Sequence, residues 1–315
     1  MLARESLHKN KMAAVLTPEP DTFMTVKQAA EYLHLNEKKI YALASDRKIP
    51  ATKVTGKWLF PRELVDQWLL DSSHGGLLTD RLIIAGSDDP LLYRIILDFA
   101  EITGARALLS YTPTGTKLGL ELLQSHRVDA CGIHWGPHQE SNTRHPALLS
   151  QYPQHHNWVM IRAFRREQGL MVSPPVLQHT QNEIDLFDPQ FRWALRQNGA
   201  GAQRFLQEIL AQHGLNATTL TSEITALSER EAAAAIAMDL ADVAPGARAA
   251  ASEFGLGFIP LGWESFDLVL PRNIWFRHLF QEMIKRLKSH TGQQLADDLA
   301  GYDLTGTGEL IWGSN

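Results

Sequence analysis

The chain has 315 residues, 44% of them apolar and 21% charged, with a net charge of −5 and one cysteine, Cys131. This is an ordinary globular composition with room for two domains, and a lone cysteine excludes an intramolecular disulfide and favours a reducing compartment. No apolar run approaches the ~20 residues that a membrane span needs. Residues 1–23 carry early charge without a sustained apolar stretch, so a flexible tail is expected there and not a signal peptide. A cytoplasmic protein follows.

From Met24 to Leu70 the chain holds eight basic and five acidic residues, a local charge of +3, whereas residues 71–315 sum to −8. A basic module on an acidic body suggests that only the first part meets a polyanion. Thr25 followed by Gln28 forms a capping box, which predicts a helix from Val26 with Val26, Ala29, Ala30 and Leu33 on one face. Asn36 is a good N-cap for a second helix to about Ser45, with Ile40 and Leu43 inward. Pro50 to Val54 and Lys57 to Phe60 are predicted strands about a Thr55-Gly56 turn, and Pro61 is expected to open a third helix carrying Leu64, Val65, Trp68 and Leu69.

The stretch "TVKQAAEYLHLNEKKIYALASDRKIPATKVTGKWLFPRELVDQWL" resembles the excisionase-type winged helix-turn-helix family over its whole length. That resemblance implies binding to double-stranded DNA, with the second helix in the major groove and the hairpin wing on the backbone. The implied DNA-binding residues are Lys27, Lys38, Lys39 and Tyr41, with Lys53 and Lys57 on the wing. So small a module neutralises few phosphates, so a dimer is expected.

"DSSHGG" opens a predicted linker over 71–78, after a winged helix-turn-helix at 24–70. Beyond it, strand-like runs such as "RLIIAGS", "ARALLSY" and "VDACGIHW" alternate with helical ones, which predicts an α/β body of parallel strands and crossover helices over 79–315. Ligands in such sheets gather at the carboxyl ends of strands beside helix N-termini. Ser87 and Thr114-Gly115-Thr116 fall in such loops, although Thr114 could equally serve only as a helix cap. The alanine-rich "EREAAAAIAMDLADV" is predicted as a closely packed helix running into a strand.

Residues 81–311 resemble the cytoplasmic substrate-binding-protein-like domain found fused to helix-turn-helix regulators and to molybdopterin-biosynthesis-type proteins. The matching pieces include "TGTKLGLELL", "RREQGLMV", "RQNGAG", "ADVAPGARAAA" and "GYDLTGTGEL". The implied fold is a two-lobed type 2 periplasmic-binding-protein-like α/β domain, with lobe 1 at about 79–165 and 262–315 and lobe 2 at about 166–261. The resemblance implies a cleft lined by Ser87, Thr114, Gly115, Thr116 and His134 from the first lobe, Arg166 and Gln168 at the crossover, and Arg196, Gln197, Asn198 and Gly199 from the second. The family pattern "RQxGSGTR" is here "RQNGAGAQR", with Ala200, Ala202 and Gln203 in place of two hydroxyls and a cation, which shifts weight from a small oxyanion to a larger, less charged ligand. Asp88 adds negative charge beside the cleft.

"HWGPH" with His145, His155 and His156 invites a metal site, but Gly136-Pro137 denies His134 and His138 a helical pairing. His134 is read as a hydrogen-bonding cleft residue, and Arg165, Arg166 and Glu167 as a structural ion pair. No Ser-His-Asp order, phosphate loop or dinucleotide fingerprint appears, so no catalytic residue, metal or cofactor is assigned. The expected function is a one-component transcriptional regulator, not an enzyme, in which a small molecule or a molybdate- or tungstate-like oxyanion bound between the lobes alters DNA binding. The alternatives are an enzyme or carrier in molybdenum-cofactor metabolism and a purely architectural DNA-binding protein.

Overall fold

The structure is a computed structural model, and it describes residues 23–46, 49–72, 80–180 and 182–313. The expected N-terminal tail, but for Phe23, lies outside the described residues, as does the linker after Ser72. The chain divides into two units after Leu78.

The first unit contains β1 (Phe23–Met24), α1 (Val26–Tyr32), α2 (Glu37–Ser45), β2 (Thr52–Val54), β3 (Lys57–Pro61) and α3 (Arg62–Ser72). Local chemistry accounts for most of it. Thr25 and Gln28 form both halves of the capping box, and the Asn36 side chain accepts from the Lys39 N–H at 2.8 Å. Thr55 and Gly56 both have positive φ, 47° and 83°, the two-residue turn whose twist suits a hairpin. Met24, Val26, Ala29, Ala30, Ile40, Ala44, Phe60 and Val65 form the core. Three details differ from the sequence expectation. Phe23 and Met24 add a third strand, pairing with Pro61 and Phe60. Pro61 ends β3 and does not open the helix, and α3 continues through Asp71 and Ser72.

The second unit runs β4 (Asp80–Gly86), α4 (Pro90–Thr103), β5 (Ala107–Pro113), α5 (Thr116–Gln124), β6 (Ala130–Ile133), α6 (Ser141–Leu149) and β7 (Trp158–Val172). It continues with α7 (Pro174–Leu177), β8 (Arg192–Arg196), α8 (Gly201–Gln212), β9 (Thr221–Ala226), α9 (Glu229–Ala237), β10 (Val243–Ala247), α10 (Arg248–Glu253) and β11 (Gly257–Pro271). The chain then forms α11 (Arg272–Trp275), α12 (His278–Leu287), α13 (His290–Leu299), β12 (Tyr302–Asp303) and β13 (Leu310–Trp312). The strand order is β5-β4-β6-β11-β7-β10-β8-β9, with β12 and β13 also on β7.

Parallel pairs occupy both ends of that order: β5 with β4 and β4 with β6, then β10 with β8 and β8 with β9. The centre is antiparallel, made by the 15-residue strands β7 and β11 paired along their length. These two strands run from one lobe into the other. β7 pairs with β12 through Arg166 and with β10 from Gln168 onward, so it changes lobe between those residues. The first lobe is filled by Ile84, Leu91, Leu92, Ile95, Phe164, Phe266 and Phe280. In the second, Ala232, Ala233 and Ala235 of α9 pack against Ala194 and Met171, small side chains that let the helix lie close on the sheet.

Candidate functional site

The carboxyl ends of the strands in both lobes converge on Arg166. It is fully buried, and its guanidinium is shared among both lobes and β11. Nε donates to Glu264 at 2.7 Å, Nη1 to the Asp88 carbonyl at 3.0 Å and to Asp89 at 3.1 Å, and Nη2 to Glu229 at 2.8 Å. Each carboxylate is held in turn. Asp89 caps α4 through the Leu92 N–H at 2.9 Å and accepts from the Tyr302 hydroxyl at 3.0 Å. Glu229 accepts from the Ala247 N–H at 3.0 Å, and Glu264 lies 2.9 Å from His134 Nδ1. His134 Nε2 stands 3.8 Å from Glu229, a further link between lobes. Phe266 lies under this cluster, 5.2 Å from the Arg166 guanidinium and stacked on His134.

A buried charge persists only when paired and hydrogen-bonded, and an arginine fork suits three acceptors in different directions. Burial raises the Asp89 carboxyl to about 6 despite Arg166, and burial together with Glu229 raises Asp88. Burial also pushes Glu264 upward, but His134 and Arg166 outweigh it and hold Glu264 below its ordinary range. Because folding raises the Asp89 pKa, its contribution favours folding fully below about pH 4 and fades as pH rises through 6. Stability of Asp89→Asn relative to wild type is therefore expected to rise between pH 4 and 7, by up to about 3 kcal/mol beyond any constant offset. Thermal denaturation across that range checks it; a pH-independent difference would show that Asp89 titrates normally.

The other predicted cleft residues are distributed unevenly. Ser87 and Thr116 are buried with their hydroxyls 2.8 Å apart. Thr114 does not cap α5: Gly115 occupies the cap position, and the Thr114 hydroxyl turns back to accept from the Gly86 N–H at 3.1 Å. Arg196 is buried but committed to the carbonyls of Ala226 and Leu227, both at 3.1 Å, and burial lowers its pKa. Gln203, where the family pattern has a cation, accepts from the Arg196 N–H at 2.8 Å. Gln197 donates to the Leu227 carbonyl at 2.9 Å, while Asn198 is exposed, outside the buried cluster. The lobes touch here. A Cβ on Gly199 would lie 2.9 Å from Lys117, and one on Gly201 would lie 2.4 Å from the His134 ring.

Arg165, Arg166 and Glu167 do not pair with one another: Arg166 faces away from both of its neighbours, and those two find other partners. Arg165 meets Asp303 at 3.2 Å, and Glu167 pairs with Arg248. The histidines also separate: His138 bonds Ser265 at 2.8 Å, His145 bonds Asp267 at 2.7 Å, and His155 bonds the Tyr152 carbonyl at 2.7 Å. Sequence reasoning missed Asp89, Glu229, Glu264 and Tyr302. The available signal was Arg166 itself, since an arginine inside a long apolar strand demands buried carboxylates.

In the first unit Lys27, Lys38, Lys39, Tyr41, Lys53 and Lys57 are all exposed. On α2, Lys38 lies opposite the buried Ile40 and Ala44, with Lys39 and Tyr41 on the two flanks. The wing lysines occupy opposite faces of the hairpin, since Lys53 pairs with Trp58 and Lys57 with Val54. Lys53 Nζ rests 5.5 Å from the Trp58 ring centroid.

A family model described as a helix-turn-helix domain matches residues 23–73, and one described as a PBP superfamily domain matches residues 99–288, more than half the chain. No curated protein sequence matches. Among solved structures, a hydrogen-peroxide-bound cysteine-to-serine mutant of Corynebacterium glutamicum OxyR is 13% identical with a TM-score of 0.52, over 87% of this chain and 90% of that one. A putative phosphate ABC transporter substrate-binding protein from Clostridium perfringens, with bound phosphate, is 12% identical with a TM-score of 0.50, over 70% of this chain and 98% of that one. At such identities the likeness is one of fold. The two lobes, the paired crossing strands and the matching family model together establish that this chain belongs to the PBP superfamily and carries a helix-turn-helix domain ahead of its PBP domain.

Proposed function

We propose that the protein is a ligand-responsive transcriptional regulator, in which a small molecule held between the lobes changes binding of the winged helix to double-stranded DNA. One observation carries this reading: a single chain joins a helix-turn-helix with exposed lysines on α2 to a body whose two lobes share a buried arginine. A ligand entering between the lobes must alter the contacts around Arg166, which gives it a preference between closed and open states. The two similar folds named above hold hydrogen peroxide and phosphate, so small-molecule binding suits this architecture. A homodimer is part of the proposal, because one module with few lysines neutralises few phosphates. It also places the protein in the cytoplasm, where the DNA is; among the described residues no helix is long and apolar enough to cross a membrane.

The test begins by selecting DNA sequences from a random pool with the full chain. Affinity for the selected DNA is then measured with and without each compound that raises the thermal midpoint. A change of tenfold or more, equal to about 1.4 kcal/mol of coupling, is expected for at least one compound. Failure to enrich any sequence, or an affinity indifferent to every stabilising compound, would overturn the proposal.

A further inference from the structure

Resting on that reading of the cleft, we infer that the effector is recognised through an uncharged amide-like group, with a hydrogen-bond donor and acceptor side by side, seated on Gln168. Three helix starts beside Arg166 are met by the chain's own carboxylates. The Asp89 carboxylate caps α4, Asp88 accepts from the Arg230 N–H at 3.1 Å in the first turn of α9, and Glu229 accepts from the Ala247 N–H at 3.0 Å ahead of α10. Arg166 is consumed by Asp89, Glu229 and Glu264, and Arg196 Nε and Nη2 are held by backbone carbonyls. An anion added beside Arg166 would meet these buried carboxylates, and the Arg166 guanidinium is already engaged by three of them.

Gln168 departs from this self-sufficiency. It is 1% exposed, and neither its Nε2 nor its Oε1 has a hydrogen-bond partner among the described residues. It follows Arg166 by two residues on β7 and so lies on the same face, beside a cluster in which the charged groups are engaged. Buried polar atoms are almost always bonded, so an amide open at both ends marks a missing partner. Gln197 Oε1 is also buried without a partner among the described residues. Two open carbonyl oxygens call for donors, and a deprotonated oxyanion has none.

A way in exists. Gly262 pairs with Gln168 across β11 and β7, so the two share a face. It is exposed, and a Cβ built on it meets nothing within 4 Å among the described residues. The missing side chain leaves the strand open beside the glutamine. A carboxamide, a cyclic imide or the edge of a nucleobase offers the matching pair, the chemistry by which glutamine reads adenine.

The experiment uses the full chain without DNA. Thermal midpoints are measured by titration with nicotinamide, succinimide, uracil and adenine, and with phosphate, sulfate, molybdate and tungstate. A saturable rise is expected for at least one uncharged compound and for none of the oxyanions. Gln168→Leu should abolish that rise and unfold, unliganded, at the wild-type temperature or above, since nothing was bonded to the amide. Gly262→Val should abolish it with Gln168 intact. The inference is overturned by a saturable oxyanion response, by silence toward all four uncharged compounds, or by a response that survives Gln168→Leu. It is equally overturned if Gln168→Leu lowers the unliganded midpoint by several degrees, the mark of an amide satisfied by structural water. Since no DNA is present, these outcomes leave the DNA-binding proposal to its own test.

Discussion

Arg166→Met is expected to destabilise the second unit by about 3–5 kcal/mol, the usual consequence of removing one partner from a buried ionic cluster. Asp89, Glu229 and Glu264 would stay buried without the cation that now bonds all three. For a domain of this size each kcal/mol moves the midpoint by about 2–4 °C, so a drop on the order of 10 °C is predicted. The loss should be smaller at pH 5 than at pH 8. Arg166 opposes the burial that lifts Asp89 to about 6, so its removal pushes that carboxyl higher still and lets a proton replace part of the lost charge. Arg166→Lys should recover only part of the stability, because one ammonium cannot reach three acceptors at a fork's spacing. Adding Glu229→Gln to Arg166→Met should cost less than the sum of the two single changes, since the second removes a charge that the first left unpaired. Calorimetry of the wild type and these variants decides the matter. A wild-type midpoint for Arg166→Met would mean that the lobes are held by apolar packing alone.

The parts of this structure that were legible in the sequence are those whose chemistry is local. Thr25 and Gln28 are three residues apart, Asn36 caps the Lys39 amide, and Thr55-Gly56 closes its own hairpin. The alternation of strand and helix in each lobe is likewise carried by neighbouring residues. The ion cluster is not: Arg166 finds Asp89 at 77 residues' separation, Glu229 at 63 and Glu264 at 98. Periodicity describes which face of a strand a residue occupies, but not which distant carboxylate awaits it. The resemblance did bring Ser87, Thr116, His134, Arg166, Gln168 and Arg196 to one neighbourhood, and the structure buries them all. There Arg166 and Arg196 bond to the protein itself. Phe23 and Met24 escaped notice since two residues are too few to show alternation. The antiparallel centre of the sheet escaped because βα alternation in the lobes says nothing about the strands that join them.

Lys38→Ala with Lys39→Ala is expected to weaken binding to selected DNA by 10–100-fold, about 1.4–2.8 kcal/mol, and to reduce the salt slope by about 2. Both side chains are exposed, while the helix is held by its Asn36 cap and by Ile40 and Ala44 beneath, so folding should be unaffected within about 0.5 kcal/mol. The slope separates two kinds of contact. A lysine on a phosphate releases a counterion and its loss flattens the dependence on salt, whereas a residue that reads a base changes sequence preference at nearly constant slope. Tyr41, 49% exposed on the same helix, is expected to belong to the second class, so Tyr41→Ala should blur the selected sequence more than it alters the slope. The wing offers an internal control. Lys57→Ala should lower the slope by about 1. Lys53 lies on the other face of the hairpin against Trp58, and its replacement should matter less if the outer face meets the backbone. Equal losses at Lys53 and Lys57 would mean that DNA reaches both faces of the hairpin, and unchanged affinity in the Lys38-Lys39 pair would remove α2 from the interface.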